Sequence, residues 1–300
     1  DEEVSILCLI RSLIDSGRSQ VEGMLNALTN LAGAEIEFSG ALAGTAVSGI
    51  TVDLGAGTDQ VVLANAINTL SLNATVEAVT GGTLADNITL TNSATGTVYN
   101  LGAGTDRLTL AGGTNVVTAS DVESIVGGSG ADDVSLTTAT SNLVLDLGGG
   151  TTDKLTLANG ANTVTASNVE TITGNAGADI VVLGSVISNG NIDLAAGADQ
   201  LVLANGSNNL TATGIETITG GTGADTITLG AAQSSGVFNL GAGVDRLTLS
   251  GAAANILSLD ASVEQVIGGA AGDALTLTQA VSGAVYDLAG GSDSLTLASG

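Results

Sequence analysis

The chain has 300 residues and a net charge of −25, from five Lys or Arg and 30 Asp or Glu, so nucleic acid and anionic membrane surfaces are disfavoured partners. It contains no His and one Cys, which removes the commonest general base and any intramolecular disulfide. With 44 Gly, no Trp, no Pro, two Tyr and two Phe, it does not have the composition of an ordinary globular core with aromatic anchors.

The N-terminal segment has a helical period. Its apolar residues are spaced alternately by three and four positions, which is the seam of a coiled coil. The seam consists of Leu7, Ile10, Ile14, Gly17, Val21, Met24, Leu28 and Leu31. We therefore predict an α-helical anchor or oligomerisation segment over residues 1–33, with contacts through residues 4–32 and a trimer favoured. A hairpin or docked helix is the alternative, because Ser19 and Glu22 fit a capping box. No apolar run is long enough for a membrane span.

Residues 34–51 lose the helical period and are predicted to be a linker or the first strands. From residue 52 the chain is repetitive, with a period of about 47 residues. Two lines of sequence alternate, of which VDLGAGTDQVVLA (52–64) and IETITGGTGADTITL (215–229) are examples. Short runs of Val, Ile, Leu and Thr between Gly, Asn and Asp turns indicate short strands.

These strands predict a mainly β fold, a parallel β-helix or β-solenoid over residues 52–300, with repeats continuing past Gly300. One repeat is too small to bury its own apolar face, whereas stacked coils bury a continuous one. One Asp follows each glycine-rich turn, and long steps between these positions, as from Asp59 to Asp86, alternate with shorter ones, as from Asp86 to Asp106. The full set is Asp59, Asp86, Asp106, Asp132, Asp153, Asp179, Asp199, Asp225, Asp245, Asp273 and Asp293.

We interpret the mean spacing as one coil of about 23 residues, with two coils per repeat and all eleven aspartates in one column. At ~4.8 Å per coil, eleven coils would form a rod of roughly 50 Å. Carboxylates at that separation repel by about 0.9 kcal/mol in water. Divalent cations would relieve this repulsion, so the eleven aspartates are candidate metal ligands.

The second line resembles the RTX nonapeptide GGxGxDxUx, in which U is a large aliphatic residue. Residues 127–135 and 220–228 match every fixed position, whereas Leu84, Asn175 and Ala271 replace a glycine in the other copies. The resemblance implies calcium held between stacked turns by Asp carboxylates and glycine carbonyls. RTX repeats run in tandem, but here the motifs come singly.

The alternative to calcium is that Asp only caps its turn. A second position, before the Leu that enters the turn, varies between Asp and Asn, as a capping role would allow. It is occupied by Asp53, Asn100, Asp146, Asp193, Asn239 and Asp287. The position after the glycines is always Asp. A further series of glutamates is predicted to bond to backbone or face solvent, and consists of Glu77, Glu123, Glu170, Glu216 and Glu264.

A catalytic site would be a singular departure from the repeat, and none is found, so we predict no enzymatic activity. The layout resembles that of trimeric fibres. We expect a structural fibre or shaft, extracellular, on a virion or cell surface, whose N-terminal segment attaches it to an anchoring protein. An RTX-like calcium-binding adhesin or surface-layer protein is the alternative. A β-helical polysaccharide-degrading enzyme is a third.

Overall fold

The structure, a computed structural model, describes residues 35–37 and 46–298. The chain divides into two compact units, residues 1–134 and 135–300. Within the described ranges every regular element is a β-strand. The helix predicted over residues 1–33 lies outside them. Among the described residues, no helix has the length and apolar character needed to cross a membrane.

The first unit holds ten complete strands, two of which fall in the segment predicted to be a linker or first strands. They are β1 (Glu35–Glu37), β2 (Ser48–Val52), β3 (Gln60–Val62), β4 (Asn68–Leu72), β5 (Ala78–Thr80), β6 (Asp86–Leu90), β7 (Thr95–Asn100), β8 (Arg107–Thr109), β9 (Val116–Ser120) and β10 (Ser124–Val126). The next strand, β11 (Asp133–Leu136), contains the boundary between the units.

The second unit continues with strands of similar, short length. They are β12 (Leu143–Asp146), β13 (Lys154–Thr156), β14 (Thr163–Ser167), β15 (Thr171–Thr173), β16 (Ile180–Leu183), β17 (Ser188–Asp193), β18 (Gln200–Val202), β19 (Asn209–Thr213), β20 (Thr217–Thr219), β21 (Thr226–Leu229), β22 (Gly236–Asn239), β23 (Arg246–Thr248), β24 (Ile256–Leu259), β25 (Gln265–Ile267), β26 (Ala274–Leu277), β27 (Val285–Asp287) and β28 (Ser294–Thr296).

Strands pair in parallel with the strand two positions along the chain. In each unit the odd-numbered strands therefore form one sheet and the even-numbered strands form another. One coil consists of one strand from each sheet and the turns between them. The predicted parallel β-solenoid is confirmed.

The core lies between the two sheets, because alternate residues of each strand point inward. Leu70, Ile88, Leu108 and Ile125 lie opposite one another in successive even strands, and all four are buried. In a parallel register each inward side chain stacks on a similar one from the next coil. Burying one such aliphatic side chain contributes about 1.5–3 kcal/mol. This repeated aliphatic stacking fills most of the interior, in which Tyr99 and Phe238 are also buried.

The coils are shorter than predicted. From Ser48 onward, paired residues are 17 to 21 positions apart; Lys154 pairs with Thr171, and Leu143 with Val164. The predicted coil length is therefore wrong. It came from averaging two spacings that have different structural meanings. The short step from Asp86 to Asp106 is one coil of two strands, whereas the long step from Asp59 to Asp86 covers three strands.

One sequence repeat consists of five strands. The stretch from Asn162 to Asn208 contains β14 to β18, and the stretch from Asn208 to Asn255 contains β19 to β23. Five is an odd number, so a repeat spans two and a half coils. Corresponding residues of successive repeats consequently lie on opposite sheets.

Candidate functional site: tethers of Asn, Asp and Glu

The eleven candidate aspartates do not form the predicted single column. Each lies at the first position of a strand or just before it, but they alternate in pairs between the two sheets. Asp179 and Asp199 immediately precede even strands β16 and β18, whereas Asp225 and Asp245 immediately precede odd strands β21 and β23. The cause is again the odd number of strands per repeat. Ten of the eleven are at most 1% exposed, and Asp293 is exposed.

Neighbouring aspartates of one pair are joined through the backbone of the first and the side chain of the second. The N–H of Asp179 donates to Oδ1 of Asp199 at 2.7 Å, and the N–H of Asp225 donates to Oδ1 of Asp245 at 2.7 Å. In the first unit the N–H of Asp86 donates to Oδ1 of Asp106 at 2.6 Å. Each bond joins two consecutive coils.

A buried asparagine precedes each pair, one coil earlier. Asn208 donates its backbone N–H and its Nδ2 to Oδ1 of Asp225, at 2.8 and 2.9 Å. The same Nδ2 donates to the carbonyls of Ala204 and Gly206, and its Oδ1 accepts the N–H of Ile187. All polar atoms of this side chain are thus satisfied. The equivalent residues, each at most 1% exposed, are Asn68, Asn115, Asn162 and Asn255.

A glutamate follows four of the five pairs, one coil later, and Glu77 follows the single Asp59 in the same way. The N–H of Asp199 donates to Oε2 of Glu216, and that of Asp245 to Oε2 of Glu264, both at 2.8 Å. Each of the five glutamates accepts from an aspartate in this way, and all five are half-buried. The prediction that they bond to backbone is confirmed.

These bonds join four residues in the order Asn, Asp, Asp, Glu. The four residues come from four consecutive coils and lie along the same sheet. We call this set a tether. Three complete examples lie within single units, namely Asn68–Asp86–Asp106–Glu123, Asn162–Asp179–Asp199–Glu216 and Asn208–Asp225–Asp245–Glu264.

The glycine turns are capped mainly by the residue before the Leu that enters the turn, which is Asp in some copies and Asn in others. Oδ1 of Asp193 accepts the N–H of Ala195 at 3.0 Å, and Oδ1 of Asn239 accepts that of Gly241 at 3.1 Å. These are Asx-turns, which an amide oxygen makes as well as a carboxylate. The position that varies between Asp and Asn therefore has the capping role. The invariant Asp belongs to the tether, although Asp86 also accepts weakly, at 3.3 Å, from Gly82 of its own turn.

The glycines allow consecutive turns to touch through their backbones. A Cβ placed on Gly220 would lie 2.0 Å from the carbonyl oxygen of Leu240 in the next coil. The N–H of Ala242 donates to the carbonyl of Gly221 at 2.9 Å, and the N–H of Gly223 donates to the carbonyl of Ala242 at 2.6 Å. Close backbone contact therefore explains the RTX-like glycines structurally.

The aspartates carry an electrostatic cost. Burial raises the pKa of Asp106, Asp199 and Asp245 to about 6, while the donated N–H lowers it and the neighbouring Asp and Glu raise it further. Burial also raises the pKa of Asp86. In six of the aspartates the Oδ2 atom is buried and accepts no hydrogen bond. They are Asp106, Asp179, Asp199, Asp225, Asp245 and Asp273. Burying such an atom disfavours the ionised carboxylate.

The fit of these residues to calcium is poor. Calcium takes six to eight oxygen ligands. Among the described residues no three acidic or other ligating side chains come together as a metal-binding group. The Oδ1 atoms of the pairs already accept backbone N–H groups, and so do turn carbonyls such as that of Gly221. The aspartate oxygens that accept no hydrogen bond are the buried Oδ2 atoms of the six aspartates named above.

The comparisons with known proteins identify no family. No family model matches the chain, and no solved structure matches it. A stretch of 44 residues, 15% of the chain, is 57% identical to the cytosol non-specific dipeptidase of Escherichia coli (strain K12). The chain spans 9% of the length of that protein. A match this short shows no common family.

The repeat pattern led to the eleven aspartates as candidate site residues, but the five buried asparagines were not predicted. Their signal was present, since Asn68, Asn115, Asn162, Asn208 and Asn255 recur once per repeat at nearly equal intervals. They escaped notice because Asn is common in the surrounding turns. A buried Asn cannot be distinguished from a turn Asn without knowing which face its strand presents to the core.

Proposed function

We propose that the chain is a non-enzymatic structural shaft that projects from a virion or a cell surface. In this proposal the N-terminal segment anchors the shaft or trimerises it, and the solenoid acts as an extracellular spacer. The observation that carries the proposal is the equivalence of the repeats. The same tether recurs from repeat to repeat, with bonds of 2.6 to 2.9 Å at corresponding positions.

Repetition of this kind supports a mechanical role. A parallel β-solenoid extends by about 4.8 Å per coil, and each added coil buries the apolar face of the preceding one. Length can therefore grow without a new core. The small Thr, Val and Ile side chains suit stacking in such ladders.

Analytical ultracentrifugation of the full chain tests the trimer. We expect three copies per particle, and Ile14→Asp in the predicted seam should reduce this to one without changing the β-sheet circular dichroism. Ser12→Asp lies off the seam and is the matched control. A monomeric parent would contradict the trimer.

Localisation needs a separate experiment. Antibodies against the solenoid should label the outside of intact particles or cells of the source in electron micrographs. Labelling confined to the cell interior would contradict the extracellular shaft. Release of reducing ends from a polysaccharide by the purified protein would contradict its non-enzymatic character.

A further inference from the structure

We propose that the tethers hold consecutive coils together through backbone N–H groups and without calcium, so that the solenoid folds in the absence of divalent ions. This inference departs from what the RTX resemblance implies. It does not depend on the proposed function, since a shaft could be stabilised in either way.

The Oδ1 atoms of the paired aspartates already accept hydrogen bonds. In the pairs Asp179–Asp199 and Asp225–Asp245, the second Oδ1 accepts the N–H of the first aspartate at 2.7 Å. The first Oδ1 accepts two donors from the preceding Asn, as Asp225 does from Asn208. Both acceptor sites of the first Oδ1 are therefore in use, so a calcium ion would displace a donor there, and at the second Oδ1 it would have to share the oxygen with the bonded N–H. The N–H groups left behind are buried and would lose their acceptors.

The turn carbonyls, which would have to supply the other calcium ligands, also accept hydrogen bonds. The carbonyl of Gly82 accepts the N–H of Ala103 at 3.0 Å, and the carbonyl of Gly269 accepts that of Gly290 at 3.0 Å. These carbonyls therefore bond along the stack of turns to the next coil. Ligand oxygens for calcium must instead converge on one point.

The space around the carboxylate of the second aspartate is small. A Cβ built on Gly197 would lie 2.7 Å from Oδ1 of Asp199, and one built on Gly104 would lie 2.8 Å from Oδ1 of Asp106. The carboxylate of the second aspartate thus packs directly against the backbone of its own turn. The glycine supplies the close approach that this contact requires.

The carboxylates are also separated from one another along the stack. In the second unit the pairs Asp179–Asp199 and Asp225–Asp245 each lie between a neutral Asn and a half-buried Glu, and these two pairs lie on opposite sheets. The described residues therefore do not form a continuous aspartate column along which ions could be shared. The oxygens of a pair that accept no hydrogen bond are at most its two Oδ2 atoms, which is short of the six to eight oxygens that calcium takes.

Thermal melting of the full chain tests the inference. The protein is melted in EDTA, in magnesium chloride and in calcium chloride at equal ionic strength, followed by circular dichroism. We expect a folded protein in EDTA and equal melting temperatures in the two salts. Unfolding in EDTA, or a higher melting temperature in calcium than in magnesium, would overturn the inference, because a bound ion stabilises by mass action.

Two variants of one residue separate the mechanisms further. Asp199→Asn keeps a carbonyl oxygen for the N–H of Asp179, whereas Asp199→Ala removes it. If backbone N–H groups hold the tether, the Asn variant melts near the parent and the Ala variant melts lower, in EDTA and in calcium alike. If calcium holds it, both variants lose a calcium-dependent rise that the parent shows. The parent measurement decides the question even if the Ala variant fails to fold.

Discussion

Asp225 accepts two hydrogen bonds from Asn208 at its Oδ1 and donates its own N–H to Oδ1 of Asp245, so it joins the coil before it to the coil after it. The side chain and the backbone of one residue thus act in opposite directions along the stack. Each tether therefore has a direction, from the Asn that begins it to the Glu that ends it.

Asn208→Ala should be strongly destabilising. The substitution removes the Nδ2 bonds to Ala204, Gly206 and Asp225 and the acceptor for the N–H of Ile187. Buried groups that lose their partners cost about 1–3 kcal/mol each, so we expect a loss of several kcal/mol in the free energy of unfolding. Urea denaturation measures it. Asn209→Ala, at the exposed neighbouring position, is the control and should cost less than about 1 kcal/mol.

Gly220→Ala should disrupt the stacking of turns. Its Cβ would lie 2.0 Å from the carbonyl oxygen of Leu240, and a backbone atom cannot move aside as a side chain can. We expect a loss of about 1–3 kcal/mol, as for other overpacked sites, visible as a lower melting temperature. Gly251→Ala is the matched control, because its Cβ would meet no atom closer than 3.6 Å. Equal melting of the two variants would contradict the backbone-contact explanation of the RTX-like glycines.

Stability should fall as the pH rises from about 4 to about 7. Burial raises the pKa of Asp106, Asp199 and Asp245 to about 6, above the value of about 3.9 expected in the unfolded chain. The folded state therefore binds more protons than the unfolded state between these values. The contribution of these three groups to stability is greatest below the unfolded pKa and is lost as the pH rises through the folded pKa. Urea midpoints at several pH values measure this. A flat or rising profile would contradict it.

Asp245→Asn provides the control for that profile. The amide cannot ionise but keeps a carbonyl oxygen for the N–H of Asp225. The decrease of stability with rising pH should become smaller by the contribution of one titrating aspartate. At mildly acidic pH the stability of the variant should be close to that of the parent. An unchanged profile would show that Asp245 does not contribute to it.

Asp193 should tolerate Asn but not Ala. Its Oδ1 caps the turn at the N–H of Ala195, a residue with a φ of 65°, and Asn239 makes the same cap in another repeat. We expect no measurable change for Asp193→Asn and a loss of about 0.5–1.5 kcal/mol for Asp193→Ala, the contribution of one hydrogen bond. Chemical denaturation of the two variants side by side checks this.

The strands and turns could be predicted because they depend on local chemistry. Alternation of Thr with Val, Ile or Leu, as in Thr226 to Leu229, marks a strand, and the glycines mark a turn regardless of what lies above it. The number of strands per coil is not local. The length of one repeat is compatible with two long coils or with two and a half shorter ones. The choice depends on which strand pairs with which, for example Thr226 with Arg246.

The same limit explains the errors at the candidate site. Asp179 and Asp225 occupy corresponding positions in successive repeats, yet they lie on opposite sheets. No property of their neighbours in the sequence distinguishes them. The capping role of Asp53 and its equivalents was predictable, because a position that accepts either Asp or Asn needs only an oxygen that can accept a hydrogen bond.

The odd number of strands per repeat also constrains how such a chain can change length. Insertion or deletion of one repeat would move every later strand from one sheet to the other, and would turn any surface beyond it to the opposite side of the stack. A change of two repeats would leave each later strand on its original sheet. If one side of this solenoid is functionally distinct from the other, natural variants should therefore differ by even numbers of repeats.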